Sequence, residues 1–264
     1  MKTTGTILDK LADHAKERCD EAKRSVSAKD MKKRAFSVPS SDHSFRKALE
    51  ADGLSFILEC KKASPSKGVI AEDFPYFDIA YDYELAGADC ISVLTEPKWF
   101  LGSNEYLRDI ASSVHIPVLR KDFTVDGYMI YEAATLGAAA VLLIASILSS
   151  AQIKEYLAIC DELGIDAITE THNEEEVGIA VDAGARIIGV NNRDLTDFSV
   201  DNANSLNLRK LIPADRIFVS ESGIKTPEDV AAVRAAGADA VLIGETVMRA
   251  PDKKAALSVL KSML

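Results

Sequence analysis

Five times in this chain a glycine is followed by a short apolar run that ends in polar side chains: "AGADCISVLTE", "LGAAAVLLIAS", "LGIDAITETH", "AGARIIGVNN" and "AGADAVLIGE". A recurring helix, glycine and strand constrains the fold strongly, because every copy must bury the same kind of strand against its neighbours. The glycines (87, 137, 164, 184 and 237) fall where a helix ends and the chain must turn with φ > 0 before a strand begins. The intervals 87–137 and 184–237 are each two βα units long, so each should hide one more strand; "HIPVLRKDF" and "DRIFVSESG" fill those places. With "LSFILEC" the count reaches eight strands, each followed by a helix-like segment. Eight βα units in roughly 210 residues predict an α/β fold of the (β/α)8 TIM-barrel type. An open doubly wound sheet is the alternative, but it does not require eight such regular units. No Pro/Gly/Ser-rich linker interrupts the series. The expected organisation is an N-terminal helical extension packed on the barrel (1–48) and a barrel catalytic domain (49–264).

With 264 residues and 47% hydrophobic content the chain can fill such a core. Its net charge of −10 is unevenly spread: residues 1–48 hold 12 Lys/Arg and 7 Asp/Glu, so the remainder is strongly acidic. Lysines interleaved with acids read as a solvated helical segment, and an acidic body disfavours nucleic acid. The apolar spacing of Ile7, Leu8 and Leu11 predicts an amphipathic helix packed on the barrel. Cys19, Cys60, Cys90 and Cys160 are scattered with no CxxC pair, which argues against zinc or a disulfide framework and fits a reducing cytoplasm. The N-terminus lacks an apolar signal-type core, and "GAAAVLLIASIL" falls short of the about 20 residues that span a bilayer. A soluble, cytoplasmic, monomeric protein with no membrane or nucleic-acid partner is expected. There is no HxH, HExxH or acidic cluster, and no GxGxxG after the first strand, so neither a metal nor another cofactor is expected. The four histidines are expected in loops rather than in a catalytic set.

In a barrel of this kind the chemistry lies at the C-terminal strand ends. Glu59 and Lys61, two residues apart on one strand, point the same way and would put a charge pair inside the barrel. The other ends carry Thr95, Lys121 and Asp122, Ser146, Glu170, Asn191 to Arg193, Ser220 to Ser222, and Gly244 with Glu245. Glu59 and Lys61 should therefore face Lys121, Glu170 and Asn191. Lys121 fits a salt bridge with Asp122 or with a carboxylate across the barrel, but also a proton donor or a Schiff-base amine. Lys61 and Arg193 would lower its pKa and Glu59 and Glu170 raise it, a balance the sequence leaves open. Glu170 fits a counter-ion or a general acid/base. "SESGI" and "LIGE" end the seventh and eighth strands in small residues, and the loops at 222–224 and 244–246, with Ser222, Gly223, Gly244 and Glu245, are the expected phosphate site, Glu221 and Ile243 beside them being further substrate-binding candidates. Phe100, Phe123, Leu142 and Leu195 are core candidates close enough to strand ends to wall an aromatic pocket.

The motifs "FILECKKASPSKG", "ISVLTEPKWFLGS", "VLRKDF", "ITETHNEEE", "GVNNRDL", "VSESGI" and "LIGETVMR", in this order, closely resemble the indole-3-glycerol phosphate synthase family from about residue 50 to the end. The basic helical extension resembles that family's N-terminal segment. The resemblance implies a small phosphorylated, anthranilate-derived substrate and no cofactor. It implies ring closure of 1-(2-carboxyphenylamino)-1-deoxyribulose 5-phosphate with loss of CO2 and water, a carboxy-lyase step of tryptophan biosynthesis. Carried over, Lys121 is the general acid on the ribulose carbonyl and Glu170 the acid/base of the dehydration. Glu59 positions these groups; Lys61 and Ser64 lie near the substrate carboxylate; Asn191 orients sugar hydroxyls with Arg193 in support. Two positions depart from the family pattern. Glu245 stands where Ser is common, so its side chain should turn away from the phosphate. Arg120 replaces an apolar residue and should face outward, needing a surface exit or a partner. The alternatives are another sugar-phosphate barrel enzyme, an isomerase or Schiff-base aldolase, or a non-catalytic sugar-phosphate sensor. A sensor should have lost acid/base groups that are intact here.

Overall fold

Eight parallel strands close on themselves in the computed structural model, which describes residues 2–264. They are β1 (Ser55–Cys60), β2 (Cys90–Leu94), β3 (Val118–Lys121), β4 (Ala140–Ile144), β5 (Asp166–Thr171), β6 (Ile187–Asn191), β7 (Ile217–Glu221) and β8 (Ala240–Ile243). Each pairs with its sequence neighbours, and β8 returns to β1 through Ser55↔Ala240 to Leu58↔Ile243. The barrel expectation holds and the open sheet is excluded. All strand residues except the last of β3 and of β6 are buried, which is why the strands read as near-continuous apolar runs rather than as alternations. A two-stranded ribbon, Ala63–Ser64 with Gly68–Val69, projects after β1.

All five repeat glycines have φ between 68° and 90°, the left-handed turn the sequence pattern demanded. The aspartates beside three of them have a structural use the sequence reading did not anticipate. Asp89 and Asp239 accept hydrogen bonds from the backbone N–H of Phe56 (2.8 Å) and Phe218 (2.7 Å), at the starts of β1 and β7. Asp166 accepts from His43 Nδ1 and from the Arg46 N–H, both at 2.9 Å.

Three helices precede the barrel: α1 (Ile7–Ser25), α2 (Ala28–Ala35) and α3 (Ser44–Leu49). Each buries one face, Leu8, Leu11, Ala15 and Cys19 on α1, Met31 and Ala35 on α2, and Phe45 and Leu49 on α3. Burying each large apolar side chain contributes roughly 1.5–3 kcal/mol. The residue-48 boundary falls inside α3. Polar contacts fix where α1 lies: His14 meets Glu96 at 3.0 Å, Arg18 meets Asp122 at 2.7 Å and Lys23 meets Asp126 at 2.6 Å. Glu96 and Asp122 follow the C-terminal ends of β2 and β3, so α1 crosses the end of the barrel where the chemistry is expected. No helix among the described residues is long and apolar enough to cross a membrane.

Candidate active site

The C-terminal end of the barrel opens into a cavity of about 790 Å³. All seventeen site residues named from the sequence line it: Glu59, Lys61, Ser64, Phe100, Lys121, Phe123, Leu142, Glu170, Asn191, Arg193, Leu195, Glu221, Ser222, Gly223, Ile243, Gly244 and Glu245.

Lys121, the last residue of β3, sits at the centre of the charge. Its Nζ is 2.7 Å from Glu170 Oε2 on β5 and 2.7 Å from Glu221 Oε2 on β7. Of the partners the sequence allowed, the carboxylate across the barrel is the one it takes. Asp122 faces away and is chelated by Arg18. Glu221, which shares its motif with the phosphate loop, turns its carboxylate into the barrel beside Lys121. Gly189 on β6 makes room for it, since a Cβ there would collide with Glu221 Oε1. Glu59 pairs with Lys61, and the backbone of Gly244 runs so close to this pair that a Cβ at 244 would overlap Glu59 Oε2.

Two buried carboxylates share one ammonium, and their pKa values separate as such pairs do. Burial raises Glu170, but Lys121, His172 and the hydrogen bonds from Lys121 and Asn191 (Nδ2 to Oε1, 3.2 Å) outweigh it and hold it at about 2. Glu221 is pushed up to about 7 by burial, with Lys121 opposing and Glu170 adding to the rise. Burial lowers Lys121, yet Glu170, Glu221 and Glu59 together leave it above the usual lysine value. Against the balance left open by the sequence, the three carboxylates favour the ammonium form of Lys121 over the free amine.

At one end of the cavity the chain forms a cradle of small residues. Ser222 and Gly223 have φ of 67° and 87°. Asn192 Nδ2 pins the Ser222 carbonyl at 3.0 Å and Asn202 Nδ2 pins that of Gly223 at 3.2 Å. The N–H groups of Gly223, Ile224, Gly244 and Glu245 have no backbone acceptor among the described residues. Lys67, Lys225 and Arg249 stand on the same wall. Glu245 turns toward Arg249 (3.1 Å) and Lys67 (3.9 Å), so its charge is met by two cations.

The other wall is apolar. The Phe100 and Phe123 rings lie 6.1 Å apart, and Leu8 and Leu11 of α1 complete the surface with Leu195. The fully buried Glu96 holds the loop that carries Phe100, accepting N–H bonds from Lys98 (3.0 Å), Trp99 (2.7 Å) and Phe100 (3.1 Å). Arg120 meets its requirement with partners rather than a surface exit. It is 2% exposed and bonds Glu132 (2.8 Å), Asn104 Oδ1 and the Met129 carbonyl (both 3.0 Å), and Thr95 (3.2 Å).

Glu96, Asn192 and Arg18 were missed as supports of the site. Only the doubled Asn191-Asn192 carried a signal. Of the histidines expected in loops, His14 lies within α1, whereas His172 does lie in a loop, yet its Nε2 is 3.4 Å from Glu170 Oε1.

The family model for indole-3-glycerol phosphate synthase matches residues 8–260. The chain belongs to this family. It is 55% identical over 256 residues to the indole-3-glycerol phosphate synthase of Ruminiclostridium cellulolyticum, covering 97% of this chain and 98% of that one. To the enzyme of the same name from Lachnoclostridium phytofermentans it is 48% identical (98% and 100% covered), and to that from Endomicrobium trichonymphae 52% (92% and 95%). Among solved structures, 3-hexulose-6-phosphate synthase superposes with a TM-score of 0.64 at 15% identity, covering 80% of this chain and all of that one. Thiamine phosphate pyrophosphorylase from Pyrococcus furiosus gives 0.61 at 16%, covering 83% and 96%. At such identities the likeness is one of fold. Family membership makes the chain a carboxy-lyase of tryptophan biosynthesis, which closes, decarboxylates and dehydrates 1-(2-carboxyphenylamino)-1-deoxyribulose 5-phosphate to indole-3-glycerol phosphate.

Proposed function

We propose that the cavity holds the substrate with its phosphate in the 222–224 and 244–246 cradle and its aromatic ring on the Phe100, Phe123 and α1 wall. The ribulose carbonyl then lies over Lys121. The observation that carries this reading is Lys121 itself, a largely enclosed ammonium held 2.7 Å from each of two carboxylates between a cradle for an anion and an apolar wall.

The anthranilate ring carbon bearing the carboxylate attacks the ribulose carbonyl, and negative charge grows on the carbonyl oxygen. Lys121 protonates that oxygen. A preorganised donor in a dry site contributes roughly 3–4 kcal/mol at such a step. Anchoring the substrate at both ends keeps ring carbon and carbonyl in contact range. The carboxylate then leaves as CO2, and its electron pair restores the aromatic ring. Glu170 takes a proton from C1 of the former ribulose chain as the C2 hydroxyl departs as water. Lys121 gives one proton to the carbonyl oxygen, Lys61, the ammonium paired with Glu59, gives one to the leaving hydroxyl, and Glu170 takes one off C1, so each turnover consumes one proton. Glu59 positions Lys61 and assists these transfers. Lys61 and Ser64 meet the substrate carboxylate, while Asn191, braced by the Arg193 N–H on its Oδ1 (3.0 Å), orients the sugar hydroxyls. A biosynthetic role of this kind suits the cytoplasm.

The test is to supply the carboxyphenylamino-deoxyribulose phosphate and follow indole fluorescence with the native chain and with Lys121→Ala and Glu170→Ala. Fluorescence should rise with the native chain only, all three showing the same circular dichroism. A variant as active as the native chain would remove its residue from the scheme.

A further inference from the structure

Glu170 faces three groups, and the scheme above uses two of them. Lys121 lies on Oε2 and Asn191 on Oε1; the third is His172, whose Nε2 stands 3.4 Å from Oε1. His172 follows β5 directly, and its Nε2 is buried with no aligned hydrogen-bond acceptor among the described residues. The opposite edge of its ring is fixed: Nδ1 lies 3.2 Å from Glu176 Oε2 and 3.2 Å from Ser146 Oγ. Glu176 is held in turn by the His172 N–H (2.8 Å), Ser146 Oγ (2.8 Å) and Asn173 Nδ2 (3.1 Å). The imidazole is thus clamped with one nitrogen on a carboxylate and the other 3.4 Å from Glu170, close enough for its charge to act there without a hydrogen bond. Around it stand Glu170, Glu176 and Glu221 as acids, Asp194 more distantly, and Lys121 beyond Glu170.

We infer that His172, held by Glu176, is a positioning residue whose positive charge keeps Glu170 ionised while Lys121 is without its proton. The inference rests on the reading of Glu170 as the base for the C1 proton. At rest the Lys121 ammonium stabilises the Glu170 carboxylate. Once Lys121 has protonated the carbonyl oxygen, it is a neutral amine, and Glu170 is left buried beside a second carboxyl group, Glu221. Burial then drives Glu170 to take up a proton, and a protonated carboxyl cannot accept another from C1. The imidazolium lies on the oxygen that Lys121 does not touch, so it supplies the missing charge with no rearrangement. The environment favours that charge: burial opposes it, but Glu176, Glu170 and Glu221 outweigh burial and raise the His172 pKa above its ordinary value.

The test is steady-state kinetics with ordinary substrate and with substrate dideuterated at C1, on the native chain, His172→Gln, Glu176→Gln, the double variant and Glu170→Gln. Gln at 172 keeps a hydrogen-bonding side chain but no charge. His172→Gln should lower kcat by about tenfold or more, less than the roughly hundredfold or greater loss expected on removing an acid–base group itself, because His172 acts through Glu170. Its KM should stay within about threefold of the native value, and its deuterium effect on kcat should exceed the native one because C1 proton removal has become slower. Glu176→Gln should move both in the same direction, and the double variant should be no worse than His172→Gln. A native kcat in His172→Gln, or a lowered kcat with an unchanged deuterium effect, would overturn the inference. Glu170→Gln separates the two readings: native behaviour there would refute the base assignment itself, whereas a dead Glu170→Gln beside a native-like His172→Gln refutes only the role of His172.

Discussion

Arg18, in the middle of α1, chelates Asp122, the residue after Lys121: Nη2 reaches Oδ1 at 2.7 Å and Nη1 reaches Oδ2 at 3.1 Å. Thr95 Oγ1 donates to Oδ2 at 2.5 Å, and Arg120 stands 3.6 Å away. Burial raises the Asp122 carboxyl, but Arg18, Arg120 and Thr95 hold it below its usual value. A helix outside the barrel is therefore tied to the peptide that carries Lys121.

Removing the Arg18 side chain leaves a fully buried carboxylate with one distant cation. Breaking a buried pair costs about 3–5 kcal/mol. Arg18 is partly solvated and Arg120 remains, so the lower end is expected for Arg18→Ala, about 3 kcal/mol. Urea titration checks this through the unfolding midpoint, and Arg18→Ala with Asp122→Asn should destabilise less than the two single losses added together. Additive losses would mean that the pair is not coupled.

Lys121→Met keeps the length of the side chain and removes the proton donor. kcat should fall by several orders of magnitude with KM within about tenfold, because the substrate is anchored by its phosphate and ring rather than by the carbonyl. Borohydride added to the native chain during turnover should leave the protein mass unchanged, because an ammonium held between Glu170 and Glu221 is not a nucleophile. A reduced sugar adduct on Lys121, seen by mass spectrometry, would favour aldolase-type chemistry.

The fold was legible because its signal is periodic: five glycines at helix ends and eight apolar runs admit few arrangements. Much of the site was legible for a related reason, since strand-end position in a barrel decides which side chains meet. What escaped were supports whose partners are remote in sequence. Arg18 and Asp122 are 104 residues apart, and His14 and Glu96 are 82 apart. Nothing local marks such pairs. Glu221 shares its motif with the small-residue loop that follows, and its inward turn shows only in three dimensions, in the 2.7 Å contact with Lys121 Nζ and in the absent Cβ of Gly189 on the adjacent strand. Arg120 was legible as a problem, a charge facing the helices, but its solution needed Glu132 and Asn104 from two different elements.

The carboxylate pair makes a pH prediction whose sign can be worked out. Glu170 falls from 4.5 to about 2 on folding, so its stabilisation is present above pH 4.5 and is lost as pH drops toward 2. Glu221 rises from 4.5 to about 7, so between those values the folded chain binds more protons than the unfolded one and stability falls as pH rises. In Glu221→Gln that second contribution vanishes. The loss of stability between pH 5 and pH 8, measured by urea unfolding at each pH, should be smaller in Glu221→Gln than in the native chain, whatever its absolute stability. An equal or larger loss would show that Glu221 does not titrate in this window.

Ser222 offers a clean test of the phosphate end. Its φ of 67° lies in the left-handed region, where Asp and Asn are the side chains best tolerated after glycine. Ser222→Asp should therefore fold, and what it adds at the cradle is negative charge. Against a phosphate dianion that charge should raise KM by at least about tenfold, equivalent to ~1.4 kcal/mol. Ser222→Asn, with the same shape and no charge, should stay within about threefold of the native KM. Inorganic phosphate should compete with substrate on the native chain and on Ser222→Asn, and lose most of its inhibition on Ser222→Asp. A native KM in Ser222→Asp would remove the phosphate from this end of the cavity and force the substrate to bind in the opposite direction, with its ring rather than its phosphate against Gly223 and Gly244.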